Sequence, residues 1–207
     1  MERGRRDSHL MGSRLFPFQP IFKIMTVNAN DNERLLISGV RRGDTAAMKA
    51  VYKLHIRYLT AVCSRYIVNP EDVKDVLQES FMKIFSSIDT FEYRGEGSLK
   101  GWLTKIVINE TLRFIRRNSR FDFQEITEAE ASIPYEDPRL DDMDAEVIYR
   151  LIRELPDGYR TIFNLFVIEG KSHKEISEML NIKVNTSASQ LFRAKAMLAM
   201  KIKQYQK

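Results

Sequence analysis

The sequence predicts an all-α protein, built as two small helical domains joined by a flexible acidic linker, with a helix-turn-helix in the C-terminal domain. Three observations predict this class. Apolar residues recur at helical spacing from Leu35 to near the C terminus, and strand signals are few. Residues 120–146 lose that period and carry ten acidic against two basic residues, with two prolines among them. Beyond Gly170, two amphipathic segments flank a connection of three residues, which is too short for anything but a turn.

Length and charge agree with two domains. A chain of 207 residues can hold two small hydrophobic cores. The net charge is +5, to which residues 25–119 contribute +4, residues 147–207 contribute +6 and the linker at 120–146 contributes −8. Basic domains suit a polyanion partner, whereas the acidic linker should be repelled by DNA. Residues 1–24 are basic, at +3, and broken by prolines; we expect either that translation begins at Met25 or that this segment is non-native or disordered.

The residues give no indication of catalysis or of a membrane span. No apolar run approaches the roughly 18 residues that cross a bilayer, so we expect no membrane insertion. There is no Gly-rich phosphate loop, Ser/His/Asp set or Cys/His metal spacing, and we expect no enzymatic activity, no cofactor and no metal. Asp75 and Glu79 form a carboxylate pair without a nearby histidine, which favours a partner-binding or solvated face. The lone Cys63 has apolar neighbours, predicts a buried thiol and fits a reducing cytoplasm.

One helix of the first domain has a polar face that its neighbours do not explain. Asn69 and Pro70 predict its start, as an N-cap followed by proline at the first helical position. Its apolar residues form one stripe, and the opposite face carries Asp75, Gln78 and Glu79. Such a face is available to a partner.

The next helix is preceded by a loop and followed by positive charge. The loop at residues 92–97 contains two glycines, and Ser98 is expected to cap the helix after it. The helix ends in a basic cluster formed by Arg113, Arg116 and Arg117. This arrangement suits contact with a nucleic acid.

The helix-turn-helix has recognisable start and stop signals. Ser172 and Glu175 form a capping box at the start of its first helix. Asn181 can take the left-handed conformation that ends this helix. Asn185 or Thr186 is expected to cap the second helix.

The second helix of this motif is predicted to turn polar groups outward. At about 100° per residue, its apolar stripe places Ser189 and Arg193 on the opposite side, with Gln190 on the flank. Such a face suits the reading of base edges in a major groove. An ordinary helical hairpin with a solvated polar face is the alternative interpretation.

Three blocks of residues together resemble the extracytoplasmic-function (ECF) sigma factors, a group of bacterial RNA polymerase subunits. The first block, residues 75–81, is similar to the D-x-x-Q-E-x-F helix of that family. The second, residues 101–109, is similar to its T-W-L-x-x-I-x-x-N run. The third extends from Leu155, Pro156, Tyr159 and Arg160 through the helix-turn-helix to Ala194. The resemblance covers about residues 34–204, in the same order and with the expected linker.

The resemblance implies a division of labour between the two domains. The first domain corresponds to sigma region 2, which binds core RNA polymerase and melts the minus-ten promoter element, and the last to region 4, which reads the minus-thirty-five element. It also implies promoter DNA and an anti-sigma factor as partners, and a cytoplasmic location. The implied polymerase contacts are Asp75, Gln78, Glu79 and Phe81. The implied minus-ten contacts are Phe91, Tyr93, Arg94, Gly95, Ser98, Trp102, Asn109, Arg113 and Arg116. The implied minus-thirty-five contacts are Lys171, Lys183, Asn185, Thr186, Ser189, Gln190, Arg193 and Lys195.

Some positions depart from the family pattern or have a second interpretation. Trp102 lies on the apolar stripe of its helix, which favours a core position over base stacking. Asn181 stands where the family often has glycine, and Ala188 where it often has lysine, which removes one phosphate contact. The alternative function is a stand-alone helix-turn-helix regulator that binds an operator, and a third is an interaction module. The regulator leaves the stripe of residues 75–81 and the acidic linker without a function, and the interaction module explains neither the helix-turn-helix nor the basic ends of the chain.

Overall fold

The computed structural model describes residues 30–118 and 143–206, with side chains from Glu33 onward. Both described ranges are helical and contain no strand, which confirms the all-α prediction. Residues 1–24 lie outside the described residues, as does most of the predicted linker, and the first helix after it begins at Ala145. The helices are α1 (Asn30–Arg41), α2 (Thr45–Cys63), α3 (Pro70–Ser87), α4 (Ser98–Asn118), α5 (Ala145–Arg153), α6 (Asp157–Phe163), α7 (His173–Leu180) and α8 (Val184–Tyr205).

Helices α1 to α4 pack around the first part of the core. The side chain of Asn69 accepts a hydrogen bond from the backbone N–H of Glu71 at 2.9 Å, which confirms the predicted start of α3. Proline follows at the first helical position, where its missing N–H costs nothing. The predicted apolar stripe of α3 is buried against α2 and α4, so its polar face turns outward.

Helices α5 to α8 form the second group, in which α8 packs against both α6 and α7. Ser172 and Glu175 form the predicted capping box at the start of α7. Asn181 ends α7 in the left-handed conformation, with φ of 55° and ψ of 51°. The predicted helix-turn-helix is therefore present. A π-helical turn over residues 164–168 connects α6 to this motif.

Two predicted caps are wrong. Ser98 is the first residue of α4, and its hydroxyl donates to the carbonyl of Gly95 at 2.7 Å instead of accepting from the helix. The N–H of Leu99 in the first turn donates to the carboxylate of Glu33 at 3.2 Å, so a distant helix supplies the cap. Helix α8 begins at Val184 without any side-chain cap, which excludes both cap candidates named above.

The two groups of helices contact each other through polar groups. The guanidinium of Arg160, which is 3% exposed, donates to the carbonyl of Tyr66 at 2.9 Å. The side-chain amide of Asn164 donates to the carbonyl of Arg65 at 2.9 Å. Arg65 also forms an ion pair with Glu169 at 3.3 Å. Burial raises the pKa of the Glu169 carboxyl group, while Arg65 opposes that shift.

Candidate nucleic-acid and protein interfaces

The polar face of α3 is exposed, with Asp75, Gln78 and Glu79 all directed away from the core. Their exposure follows from the apolar stripe, because that stripe fixes the rotation of the helix about its axis. A guanidinium nitrogen of Arg117, at the end of α4, lies 3.2 Å from a carboxylate oxygen of Glu79. Both side chains of this pair are about half exposed, so the pair can exchange partners at small cost.

Phe81 does not share this face, which corrects its assignment as a polymerase contact. Its side chain is 5% exposed, and its ring lies 4.8 Å from the ring of Tyr52 between centroids. Phe81 lies on the buried face of α3, so the block of residues 75–81 combines one core residue, Phe81, with three exposed polar residues. Its role is to hold α3 against α2.

A groove of about 740 Å³ lies beside the polar face, between α2 and α3. Tyr52 and Met82 are exposed at its edges, at 45% and 67%, and Gln78 belongs to its lining. The polar face and the groove therefore form one continuous surface of mixed character. A partner helix with one apolar stripe would suit such a surface.

The backbone of the loop between residues 91 and 98 depends on two glycines with positive φ. Gly95 and Gly97 have φ values of 112° and 81°, a region that other residues rarely enter. The backbone N–H of Arg94 donates to the hydroxyl of Ser98 at 3.2 Å, which closes the loop. The guanidinium of Arg94 is exposed and lies 3.1 Å from the carboxylate of Glu92. The loop thus presents an exposed cation beside the two glycines.

Helix α1 braces this loop, a role that the sequence did not reveal. The guanidinium of Arg34 lies 4.6 Å from the ring centroid of Tyr93, and Arg41 donates to the carbonyl of Phe91. Glu33 on the same helix caps α4, as described above. These contacts join residues that are fifty or more positions apart in the sequence, so no local pattern could have shown them. They attach the loop and the start of α4 to α1.

Phe91 itself is a core residue, which corrects its assignment as a DNA contact. It is 4% exposed, and its ring packs 5.2 Å from that of Trp102. Trp102 is partly buried against the core, in agreement with its core interpretation. The ring of Tyr93, by contrast, is partly exposed, and the guanidinium of Arg34 lies over it.

Helix α4 carries a basic face beyond the loop. Asn109, Arg113 and Arg116 are exposed and fall on one side of the helix. Arg113 lies 3.5 Å from Glu110, whereas Arg116 donates to the backbone carbonyl of Met179 in α7 at 2.9 Å. The predicted minus-ten face therefore touches the helix-turn-helix at its far end.

The start of α7 is built from short-range hydrogen bonds. The backbone and hydroxyl of Ser172 lower the pKa of the Glu175 carboxyl, and Lys171, at 3.3 Å, lowers it further. His173 stacks on Phe166, and its Nδ1 shares a hydrogen bond with the hydroxyl of Ser187 at 3.0 Å. Burial, and then the nearby Lys195, lower the pKa of His173 and favour its neutral form.

Helix α8 buries a wider arc than the sequence predicted. Thr186 and Gln190 are 6% and 3% exposed, which corrects their assignment as groove-facing residues. The reason is that α8 packs against α6 as well as α7, so two neighbours cover adjacent sides of the helix. The apolar stripe in the sequence predicts one buried side of α8. The other buried side carries polar residues, Thr186 and Gln190, so hydrophobicity alone does not predict its burial.

The remaining predicted minus-thirty-five residues differ in their exposure. Lys183 and Asn185 are exposed at the start of α8, and Lys195 is half-buried. Ser189 is also half-buried, and its hydroxyl donates to the carbonyl of Thr186 at 3.0 Å. Arg193 is half-buried, with a nitrogen that donates to the hydroxyl of Tyr159 at 3.3 Å. Of these residues, the fully exposed ones lie at the N-terminal end of α8.

Within the described ranges, no helix is long and apolar enough to cross a bilayer. No cluster of three or more His, Cys, Asp or Glu side chains in these ranges could hold a metal ion. The predicted buried thiol is present: Cys63 accepts a hydrogen bond from Thr111 at 3.4 Å, and burial raises its pKa to about 11. A thiol with that pKa is a poor nucleophile near neutral pH.

Comparison with known proteins assigns both halves of the chain. Residues 51–121 match the family described as Sigma-70 region 2, and residues 145–198 match that described as Sigma-70, region 4. The ECF RNA polymerase sigma-E factor of Haemophilus influenzae is 29% identical over 182 residues, which cover 82% of this chain and 95% of that protein. The sigma-E factor of Escherichia coli is 27% identical over 183 residues, which cover 82% and 94%.

Two solved structures are also similar. CnrH in complex with the cytosolic domain of CnrY is 22% identical, with a TM-score of 0.43 and coverage of 83% of this chain and 97% of that chain. The sigma factor RpoE in complex with the anti-sigma factor NepR from Bartonella quintana is 21% identical, with a TM-score of 0.44 and coverage of 77% and 98%. One assignment follows from the sequence comparisons. The chain matches region 2 and region 4 in this order, and it matches sigma-E factors along most of their length. The chain belongs to the ECF sigma factor family, whose members direct promoter recognition and transcription initiation by RNA polymerase.

Proposed function

We propose that the polar face of α3 is the docking site for core RNA polymerase, through Asp75, Gln78 and Glu79. The observation that carries this proposal is their common exposure on a helix whose other face is buried. These side chains face solvent, and the single ion pair among them, between Glu79 and Arg117, is half exposed, so the face is available for a partner. The adjoining groove between α2 and α3 extends the same surface with apolar area.

In the same proposal, the loop at residues 91–98 and the basic face of α4 bind the minus-ten element. Tyr93 offers an aromatic surface for an unpaired base, and Arg94, Arg113 and Arg116 offer cations for the phosphates of a single strand. The open backbone at Gly95 allows close approach. The helix-turn-helix of α7 and α8 then binds the minus-thirty-five element as duplex.

The chain in this role is an initiation subunit with no enzymatic activity of its own, because polymerase supplies the chemistry. It works in the cytoplasm, where polymerase and promoter meet. We further propose that it is held inactive by an anti-sigma factor that covers the surface of α3. A stand-alone operator-binding regulator is the weaker account, since it leaves the polar face of α3 without a function.

A binding titration tests the proposal directly. Fluorescently labelled chain is titrated with core RNA polymerase that has been freed of other sigma factors, and with an unrelated DNA-binding enzyme as a control. We expect saturable binding to core polymerase alone, and competition by a known sigma factor. Tight binding of the free chain to a palindromic operator, without any affinity for polymerase, would instead support the regulator.

A further inference from the structure

The first two turns of α8 expose few hydrogen-bond donors. Val184 is 46% exposed, and Asn185 and Ala188 are also exposed. At 100° per residue, these three side chains lie within an arc of about 100°. The arc is small and mostly apolar, with a single amide.

The other polar side chains of these turns are used inside the protein. Thr186 and Gln190 are buried, and the hydroxyl of Ser187 is bonded to His173. The hydroxyl of Ser189 donates to a backbone carbonyl within α8. The one arginine of α8, Arg193, lies outside the arc and is bonded to Tyr159. Base reading by α8 is therefore left to the exposed arc.

We propose that Val184, Asn185 and Ala188 determine the sequence preference of α8, with Asn185 reading adenine and the two apolar side chains reading thymine methyl groups. This inference rests on the promoter-binding role proposed above and names the chemistry of its minus-thirty-five contact: a run of A·T pairs in the major groove.

The chemistry of the base edges supports this assignment. In the major groove, the side-chain N–H of asparagine can donate to N7 of adenine while its carbonyl oxygen accepts from the N6 amino group, whereas apolar side chains distinguish thymine by its C5 methyl group. Residues near the N terminus of the second helix are those that reach base edges in helix-turn-helix proteins. Lys183, exposed immediately before this arc, lies where a phosphate contact is expected.

The test begins with selection of the preferred minus-thirty-five sequence from a randomised promoter library, using polymerase reconstituted with the full chain. Each thymine of the selected element is then replaced by deoxyuridine, which removes only the methyl group. Each adenine is replaced by 7-deazaadenine, which removes only the N7 acceptor. Affinity of the reconstituted polymerase is measured for every modified promoter.

We expect deoxyuridine at one or two positions to weaken binding about fourfold, the contribution of one buried methyl group. Val184→Thr is an isosteric change, and Ala188→Ser adds one hydroxyl group. In each of these variants, binding should no longer respond to deoxyuridine at one of those positions. In Asn185→Ala, sensitivity to 7-deazaadenine should disappear at one position. Ala196→Ser lies farther along α8 and serves as the matched control, for which every sensitivity should persist.

The outcomes separate this inference from the role on which it rests. Selection of an element without A·T pairs, or modified-base sensitivities that all survive in the three variants, would overturn the assignment of the arc while leaving promoter binding intact. Failure of the reconstituted polymerase to select any minus-thirty-five sequence would instead contradict the proposed function of α7 and α8.

Discussion

At the scale of single residues, Arg160 is a buried cation with several polar contacts. Its guanidinium donates to the carbonyls of Tyr66 at 2.9 Å, Leu155 at 2.7 Å and Arg153 at 3.1 Å, and pairs with Asp157. A planar group with five donors suits three carbonyls at once. It therefore joins α6 both to the end of α5 and to the turn between α2 and α3.

Replacement of Arg160 by methionine keeps the apolar stem but leaves these three carbonyls without a donor. We expect the free energy of unfolding to fall by roughly 3 kcal/mol or more, since each buried unpaired group costs about 1–3 kcal/mol. Urea titration followed by circular dichroism measures the change. Arg57→Met, at an exposed position of α2, is the matched control and should change stability by less than about 0.5 kcal/mol.

Residue-scale prediction from the sequence succeeded where the determining contacts are local. The capping box of Ser172 and Glu175 and the left-handed Asn181 each depend on neighbours within a few positions, and both are present. Gln190 was misplaced because α8 packs against more than one helix, and the periodicity of a single helix does not show how many neighbours cover it. The brace of Glu33 on α4 was missed for the same reason.

At the scale of elements, the two faces of α3 have different roles. One face is buried and stabilises the first group of helices, while the other presents Asp75, Gln78 and Glu79. Substitutions on the outward face should therefore change binding without changing the fold. Glu79 is less suitable for a charge reversal, because a lysine at position 79 would place a second cation beside Arg117 and could disturb the fold as well as binding.

Asp75→Lys is the cleaner charge reversal on this face. We expect it to weaken binding to core polymerase at least fivefold, because it replaces an attractive charge by a repulsive one at the contact, while helical content is unchanged. Asp89→Lys, an exposed reversal beyond the end of α3, is the control and should bind normally. Equal affinities of the two variants in the titration would remove α3 from the polymerase contact.

The loop at residues 91–98 allows a second test at this scale. Tyr93→Ala and Arg94→Ala remove the stacking surface and the cation, so open-complex formation on duplex promoters should fall about tenfold, within the range of losses for removing one base stack. A promoter with a pre-melted minus-ten bubble should be affected much less if the loop acts in melting. The fluorescence of a base analogue in the minus-ten element follows this step. An equal loss on both templates would indicate a folding defect.

At the scale of the whole molecule, the described arrangement is too small to cover a promoter. The two elements are centred about 25 base pairs apart, which is roughly 85 Å of duplex at 3.4 Å per base pair. A compact chain of this length has a radius of gyration of about 17 Å and is about 45 Å across. The contacts of Arg65 with Glu169 and of Arg116 with Met179 must therefore break when both elements are bound.

Energy transfer between dyes measures this separation. Lys49→Cys and Glu178→Cys place labels on exposed positions of α2 and α7, and buried Cys63 should not react. We expect high transfer in the free chain and low transfer after core polymerase and promoter bind. Arg65→Glu should lower transfer in the free chain through repulsion with Glu169, and addition of Glu169→Arg should restore it. High transfer in an active promoter complex would refute the opening.

The sequence predicted both groups of helices but not how they meet. Helical periodicity and the capping signals report on each element alone, and family blocks report on each domain. Several contacts between the domains are made by side chains that donate to backbone carbonyls, such as Asn164 to Arg65, and a carbonyl has no sequence signature. Only the folded arrangement brings these groups together.

The most direct test of the central claim is promoter-dependent transcription by core polymerase that has no other sigma factor. A run-off assay on a promoter selected with this chain compares the core enzyme alone, with the chain, and with Asp75→Lys. The account predicts one transcript from a fixed start site that appears only with the chain and is reduced by the substitution. Transcripts that are the same with and without the chain, while the chain alone binds the template tightly, would contradict it.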